Sequence, residues 1–546
     1  MALRPTGGGR PGGGRLVVGR KVYLETMGCQ MNVLDSELVL GQLRAAGYER
    51  VDDSKAADVV LLNTCSVRDH AEQKVLARLG RLRKRKLARP QLIIGVLGCM
   101  AERDPDGLVA RMPHVDVLCG PGELNKLPAM LAEVESTRRR AIALSQSMSR
   151  RNTPLQRAVE YDSVEALDLS RDPEPGPAVL QAYVRVQRGC DKFCTFCVVP
   201  FTRGPERSRP PGQIVDEARM LADRGAREIT LLGQTVNSYA YPENDGPVRL
   251  AELLERVSAV EGVDRVRFVT NYPGDFTDDI LYALRDLPKV CEYLHIPVQS
   301  GSDAVLKRMR RQYSVGQYLE LIDRARDIVP GLAIASDFIV GFCGETPADH
   351  EASCRLLERC RFKNVFVFKY SPRPGTVADK READDVPDEV KRQRNLELLK
   401  LQEQVALAAN QRQIGSVVEV LVEGYSKAAT KARETEHCRD LRDRRTTDPS
   451  PPWGRGQGEG ENAETPSRGD AEPGSVPDAD TAPDAEQSRG QEVSWCPTNQ
   501  LVGRTRQDQI VVFAGPPSAI GRFADVRIVE ATALTLHGQL LADAPR

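Results

Sequence analysis

The sequence predicts a multidomain α/β protein: an N-terminal α/β domain with a parallel sheet, a partial (β/α)6 barrel, and a small C-terminal β-barrel. Three observations predict it. Short apolar runs alternate with amphipathic helical stretches twice along the chain, 546 residues exceed what one hydrophobic core can serve, and the last part carries strand-like runs with no helical period.

Residues 1–20 hold four arginines, many glycines and no acid, and read as a disordered tail. They have a faint likeness to a transit peptide, but serines and an amphipathic pattern are missing. Residues 21–135 form the first domain, with strands expected at Val22–Leu24, Val59–Leu62 and Leu92–Leu97. Each is followed at once by a polar turn holding a cysteine: Cys29 in Met-Gly-Cys-Gln-Met-Asn, Cys65 in Asn-Thr-Cys-Ser-Val-Arg, and Cys99 in Leu-Gly-Cys-Met-Ala-Glu. A parallel sheet delivers all three to its carboxyl edge, where open α/β sheets hold their ligands.

A polar, basic and then Pro-rich stretch, 136–177, reads as a linker. The second alternation, 178–407, has strands expected at Tyr183–Val186, Glu228–Leu232, Val266–Val269, Tyr293–Ile296, Leu332–Val340 and Val365–Lys369, followed by a charged helical stretch from about Glu389 to Asn410. Six strands with helices between them make an open or partial barrel. The third region, 408–546, starts with a strand at Val417–Val422 and resumes at Gln500–Val502, Ile510–Phe513, Phe523–Val529 and Ala533–Leu536. Between them lies an insert at about 428–495 whose core, Pro451–Gly490, has nine acids, three arginines and almost no large apolar residues, a composition that predicts disorder. The formal charge of −1 therefore hides a positive surplus on the rest of the chain, suited to phosphate.

Apolar residues make up 40% and charged residues 28%, and no run approaches the roughly 18–20 apolar residues of a membrane span. The expectation is a cytoplasmic monomer with no membrane partner. Thirteen cysteines in such a chain point to metal binding or catalysis, since cytosolic thiols are kept reduced.

The strongest signal is Arg188-Gly-Cys-Asp-Lys-Phe-Cys-Thr-Phe-Cys-Val-Val-Pro200, in which Cys190, Cys194 and Cys197 follow a C-x3-C-x2-C spacing after a strand. Three thiolates on one loop hold three irons of a 4Fe–4S cluster and leave the fourth open. Structural zinc wants four protein ligands, usually in two separated pairs, and an electron-transfer cluster wants a fourth cysteine. No matching fourth ligand lies nearby in sequence, although one could arrive from far away. The motif resembles that of radical S-adenosylmethionine enzymes, in which the open iron chelates the cofactor and its reductive cleavage yields a 5′-deoxyadenosyl radical. Taken singly, Cys29, Cys65 and Cys99 would each more often be core residues; three at equivalent strand exits point to a second cluster.

The segments Tyr23-Leu-Glu-Thr-Met-Gly-Cys-Gln-Met-Asn32, Leu62-Asn-Thr-Cys-Ser-Val-Arg68, Gly98-Cys-Met-Ala-Glu102, Phe196-Cys-Val-Val-Pro-Phe-Thr-Arg-Gly204, Leu232-Gly-Gln-Thr-Val-Asn237, His295-Ile-Pro-Val-Gln-Ser-Gly301 and Tyr370-Ser-Pro-Arg-Pro-Gly-Thr376 resemble those of the MiaB-type tRNA methylthiotransferases. The resemblance runs from about residue 21 to the C-terminus, apart from linker and insert. It implies a methylthiotransferase N-terminal domain, a radical SAM core and an RNA-gripping TRAM barrel. It also implies two 4Fe–4S clusters, held by Cys29, Cys65 and Cys99 and by Cys190, Cys194 and Cys197, with S-adenosyl-L-methionine as both methyl donor and radical source. The implied substrate is tRNA carrying N6-isopentenyl-adenosine beside the anticodon, modified at C2, with a flavodoxin- or ferredoxin-like electron donor and a sulfur source as partners.

By the same likeness, Gly233, Gln234, Gln299, Ser300, Asp337 and Gly341, all at barrel strand ends, are expected to contact the cofactor. Each could instead be a turn or capping residue. Arg203, Arg207 and Arg209 after the cluster loop, with Lys427, Arg504 and Arg506 beside the TRAM strands, are expected to meet RNA, and Arg308, Arg310 and Arg311 form a further basic group. Two segments depart from the family pattern: Cys343 stands where proline is common, and Thr270-Asn-Tyr-Pro273 where a Thr-Ser-His-Pro-like turn is common. Cys119, Cys291, Cys354 and Cys360 read as packing residues, and Cys438 and Cys496 have no assigned role.

Three rival functions stand beside this one: action on threonylcarbamoyl-adenosine of tRNA, action on an aspartate of a ribosomal protein, and a non-catalytic iron–sulfur RNA-binding or regulatory protein. Gln30-Met31-Asn32 and the Arg373-containing segment resemble the isopentenyl-adenosine branch. A non-catalytic protein predicts a missing cluster cysteine, and all six are present.

Overall fold

The computed structural model describes residues 19–66, 69–145, 167–168, 171, 179–433 and 499–541. Nearly all of the expected tail and insert, with Cys438 and Cys496, lies outside the described residues.

Six parallel strands build the first sheet: β1 (Arg20–Met27), β2 (Tyr48–Arg50), β3 (Val59–Thr64), β4 (Ile93–Gly98), β5 (Val117–Cys119) and β6 (Ala141–Ala143). Their order is β2-β1-β3-β4-β5-β6, so the chain leaves β1 to one side and returns for β3 on the other. That reversal opens a crevice at the carboxyl edge. β3 is buried along its whole length, and its period of two divides it between two cores. Val59 and Leu61 pack with Leu34 and Leu38 of the helix Gln30–Ala45, whereas Val60 and Leu62 pack with Val75 and Leu79 of the helix Asp69–Ala88.

The stretch expected as a linker contributes structure of its own. β6 adds the sixth strand of the sheet, and Asp168 and Arg171 are buried. Polarity there reflects buried ion-pair partners as well as solvent.

β7 (Gln181–Arg185) opens the second unit. β8 (Gln187–Arg188) and β9 (Arg207–Ser208) pair at the base of the cysteine loop, and β10 (Glu228–Leu232) follows, with a hairpin of β11 (Ala240–Glu243) and β12 (Gly246–Arg249) beyond it. β13 (Arg265–Phe268), β14 (Tyr293–His295), β15 (Ala333–Val340) and β16 (Asn364–Lys369) complete the wall. The parallel sheets β13-β10-β7 and β14-β15-β16 meet through a Val266–Val290 bridge and an Asn271 N–H donating to His295 O at 3.0 Å. The six strands thus run in chain order round an open barrel, as the alternation predicts.

The third unit is a closed barrel, β17-β18-β19-β21-β20, of β17 (Val417–Tyr425), β18 (Gln500–Arg504), β19 (Ile510–Ala514), β20 (Phe523–Ala531) and β21 (Thr535–Leu540). Its β18–β19 turn fits into the amino-terminal end of the larger barrel. The Arg506 guanidinium forks onto Glu292 at 2.7 and 2.8 Å. Arg267 donates to the carbonyls of Thr505 and Arg506, both at 2.6 Å, and Lys363 pairs with Asp508. The small barrel therefore closes the end of the wall opposite the cysteine loop, which follows the carboxyl end of β7. No helix among the described residues is long and apolar enough to cross a membrane.

Candidate active site

Cys29, Cys65 and Cys99 emerge side by side because β1, β3 and β4 are neighbours in the sheet and each cysteine stands just past its strand's end. Two asparagines lock the turns together. Asn32 Oδ1 accepts from the Cys29 backbone N–H at 3.3 Å and from its thiol at 3.2 Å, while Asn32 Nδ2 donates to Asn63 Oδ1 and Thr64 O, both at 3.1 Å. Asn63 returns a bond to Asn32 O at 2.9 Å. A thiol–thiol hydrogen bond with Cys65 brings the Cys29 thiol down to about 6, with help from the Arg203 cation. Burial pushes the Cys99 thiol up.

Gly98 makes this crowding possible. Its φ is +88°, and a Cβ there would come within 2.5 Å of both Asn63 Oδ1 and Thr64 O. Gly98→Ala is expected to destabilise the chain by about 1–3 kcal/mol and to lower iron retention selectively at this triad, measured by iron analysis after anaerobic reconstitution.

The second triad lies on the loop from β8 to the short helix Val199–Thr202. Gly189, with φ +77°, starts the loop, and its N–H donates to Gln234 Oε1 at 2.6 Å. Thr195 anchors the middle: its N–H donates to Met309 O at 3.0 Å and its hydroxyl to Arg308 O at 2.9 Å. Arg311 then reaches Cys194 Sγ at 3.5 Å while donating to Pro297 O and Tyr313 Oη, both at 2.8 Å. Its guanidinium also rests on the rings of Tyr272 and Tyr313, 4.7 and 5.0 Å from their centroids. Burial raises Cys190 to about 11 and raises Cys197 as well.

Both triads border the domain boundary, where the helix Cys99–Arg103 packs on Val199–Thr202. A buried ion-pair network joins the domains there. Asp35, six residues after Cys29, receives Arg185 Nη1 and Arg203 Nη2, both at 2.9 Å. Arg185 continues to Asp168, Arg209 pairs with Glu217 at 2.8 Å, and Arg171 bridges Glu217 and Glu37, both at 2.7 Å.

Each site brings three cysteines, where a structural zinc takes four protein ligands and a 4Fe–4S cluster takes three when one iron is left open, so the donor count suits such a cluster.

Several expected contacts have structural partners instead. Arg203 and Arg209 are 5% and 6% exposed and bound to carboxylates, so a phosphate cannot reach them without breaking buried pairs. Arg506 docks the small barrel, and Arg504 pairs with Glu423 and Asp508. Of the six arginines and lysines expected to meet RNA, Lys427 is exposed and Arg207 half-buried. Arg311, expected on a basic surface, serves the cysteine loop.

Among the expected cofactor contacts, Gly233 and Gln234 lie beside the second triad. Gln299 has φ +77°, bonding through its backbone to Asp337 and Ile339. Ser300 is buried, and Asp337 Oδ1 pairs with His295 Nε2 at 2.9 Å. Gly341 packs against the Lys391 stem, which a Cβ would strike. Tyr272, at the departure from the family turn, is the ring beneath Arg311. Cys343 is buried beside Phe342 and Tyr370. Cys119, Cys291 and Cys360 are buried and Cys354 is half-buried. Sequence reading quoted Asn32 and Asn63 without a role, although an asparagine three residues after a cysteine at a helix start was the available signal; nothing marked Asp35.

Three family models match the chain: uncharacterized protein family UPF0004 over residues 21–120, the radical SAM superfamily over 184–357 and the TRAM domain over 492–541. A relative from Rhodopirellula baltica, described as tRNA-2-methylthio-N(6)-dimethylallyladenosine synthase, is 52% identical over 413 residues, covering 76% of this chain and 85% of the relative. One from Alkalilimnicola ehrlichii with the same description is 39% identical over 526 residues, covering 95% and 97%. Among solved structures, the radical S-adenosylmethionine methyltransferase TsrM from Kitasatospora setae, with cobalamin and a 4Fe–4S cluster bound, is similar at a TM-score of 0.47 and 15% identity, covering 66% of this chain and 77% of that one.

Proposed function

The chain belongs to the tRNA-2-methylthio-N(6)-dimethylallyladenosine synthase family, and we propose from that premise that it transfers a methylthio group to C2 of N6-isopentenyl-adenosine beside the anticodon of tRNA. It is a transferase with a radical SAM domain. The observation that carries the reading is the pair of cysteine triads, one in each domain, bordering a buried junction.

Cys190, Cys194 and Cys197 would hold the cluster that takes S-adenosylmethionine at its open iron, and Cys29, Cys65 and Cys99 an auxiliary cluster that carries sulfur. When bound, these groups supply hydrogen abstraction from an unactivated C–H bond and the methylthio unit, which side-chain acid–base chemistry could not. The chain's residues supply geometry. Asn32 and Asn63 hold the auxiliary cysteines in one register, Gln234 and Thr195 fix the radical loop, and the Asp35–Arg185–Asp168 pairs keep the two sites at a set separation. Such orientation replaces a loss of entropy that a reaction between free partners would incur.

Lys427, which the docked barrel leaves exposed, is the side chain of the expected set open to tRNA phosphates. A flavodoxin- or ferredoxin-like donor and a separate sulfur source complete a cytoplasmic system around a monomeric enzyme. Mass spectrometry of tRNA nucleosides from cells lacking the gene is expected to show isopentenyl-adenosine accumulating and its 2-methylthio form absent. An unchanged 2-methylthio nucleoside, with no related enzyme present, would defeat the assignment.

A further inference from the structure

The junction between the domains holds arginines with buried donor atoms that have no acceptor. Arg171, Arg185, Arg203 and Arg209 answer Glu37, Asp35, Asp168 and Glu217 one for one. Arg188, two residues before Cys190, has no carboxylate at ion-pair distance among the described residues, and its Nε is buried with no acceptor.

Arg203 is unsatisfied in a more pointed way. Asp35 holds Nη2, but Nη1 is buried and has no partner, in a side chain only 3% exposed. Arg203 caps the C-terminus of the helix Val199–Thr202, which packs on the helix that Cys99 begins, and its charge acts on the Cys99 and Cys29 thiols. A buried cationic N–H with no acceptor is costly to desolvate. Sites built this way are made for an anion. The auxiliary triad, once loaded, is one, because three thiolates outweigh the charge of an iron–sulfur core and any sulfur on the open iron adds to the excess.

We propose that Arg203, held by Asp35, is a positioning residue for the auxiliary site: its free Nη1 donates to the anionic sulfur gathered there. Net charge and hydrogen bonds to sulfur set the potential of such clusters. Arg203 therefore eases reduction of the auxiliary cluster without touching the radical one, which has its own donor in Arg311. The inference rests on the proposed cluster at Cys29, Cys65 and Cys99.

The test is dye-mediated redox titration, followed by electron paramagnetic resonance, of full-length protein reconstituted without oxygen. Replacing Cys190, Cys194 and Cys197 by alanine isolates the auxiliary cluster; replacing Cys29, Cys65 and Cys99 isolates the radical one. Arg203→Gln is expected to move the auxiliary midpoint to more negative potential and leave the radical midpoint in place. Arg203→Lys, which keeps the charge and loses the fork, is expected to fall between. An unmoved auxiliary midpoint, or equal movement of both, overturns the proposal. Should the Gln variant fail to hold iron, the Lys variant decides: a negative shift at full iron content supports the proposal, while no shift, or loss of auxiliary iron there too, overturns it. If the isolated auxiliary triad with Arg203 intact binds no cluster, the functional reading fails instead.

Discussion

Alanine at Cys65 is expected to cut the iron of the reconstituted protein from about eight to about four atoms per chain, to abolish methylthio transfer, and to leave S-adenosylmethionine cleavage to 5′-deoxyadenosine running. Alanine at Cys190 is expected to halve the iron equally but to stop both reactions. The difference follows from position. Cys65 lies beyond β3, between the neighbours β1 and β4, where its loss removes the middle ligand of one triad and leaves the loop from β8 intact. Cys190 follows Gly189, whose N–H is held by Gln234 and whose close approach to Pro205 O admits no Cβ, so the start of the loop that carries all three thiols is fixed. Iron analysis with chromatographic measurement of 5′-deoxyadenosine reads both outcomes. Cleavage lost in the Cys65 variant at four irons per chain would mean that the triads do not act separately.

Arg185→Met is expected to be the most damaging substitution outside the cysteines, lowering stability by about 3–5 kcal/mol. Its guanidinium is shared between Asp35 and Asp168, and both carboxylates are fully enclosed. Removing the cation leaves two acids buried with too little positive charge, and the domain junction is expected to open first in urea. Asp168→Asn added to the variant should recover part of the loss, since one stranded acid is then neutral. The pH dependence has a definite sign. Burial opposes ionisation of Asp168, but Arg185 and Arg209 overcome it and hold the carboxyl below its usual range. The contribution is therefore complete above the ordinary carboxylate value of about 4 and fades as pH falls through the lowered one. Urea midpoints measured from neutral to acid pH check both; an Arg185→Met midpoint equal to that of the unaltered chain would remove the network from the account of stability.

Much of the architecture was legible because period and punctuation are local properties. Glu228–Leu232 reads as a strand from its own five residues and is one, and the turns holding Cys29, Cys65 and Cys99 follow strands whose apolar runs announce them. The arginines were not legible. Arg203, Arg209, Arg504 and Arg506 look like surface cations fit for phosphate, and each is bound to acids brought by other elements: Asp35 lies 168 residues from Arg203, and Glu292 lies 214 from Arg506. A charge does not reveal its partner until the chain is packed. The same holds for the stretch 136–177, where Asp168 and Arg171 read as solvated and are buried.

By itself the sequence determined the α/β class, the order of three units, and the two sets of three thiols with the spacing that suits iron–sulfur cubes. Those follow from side-chain periodicity and ligand count, which survive any arrangement of the parts. Only the tertiary structure decided that β1, β3 and β4 stand together, that both triads border one buried junction, that the small barrel seals the far end, and that Arg311 attends the Cys194 sulfur. These depend on strand order and domain docking, where distant residues meet and burial turns an exposed ion pair's small effect into a large one.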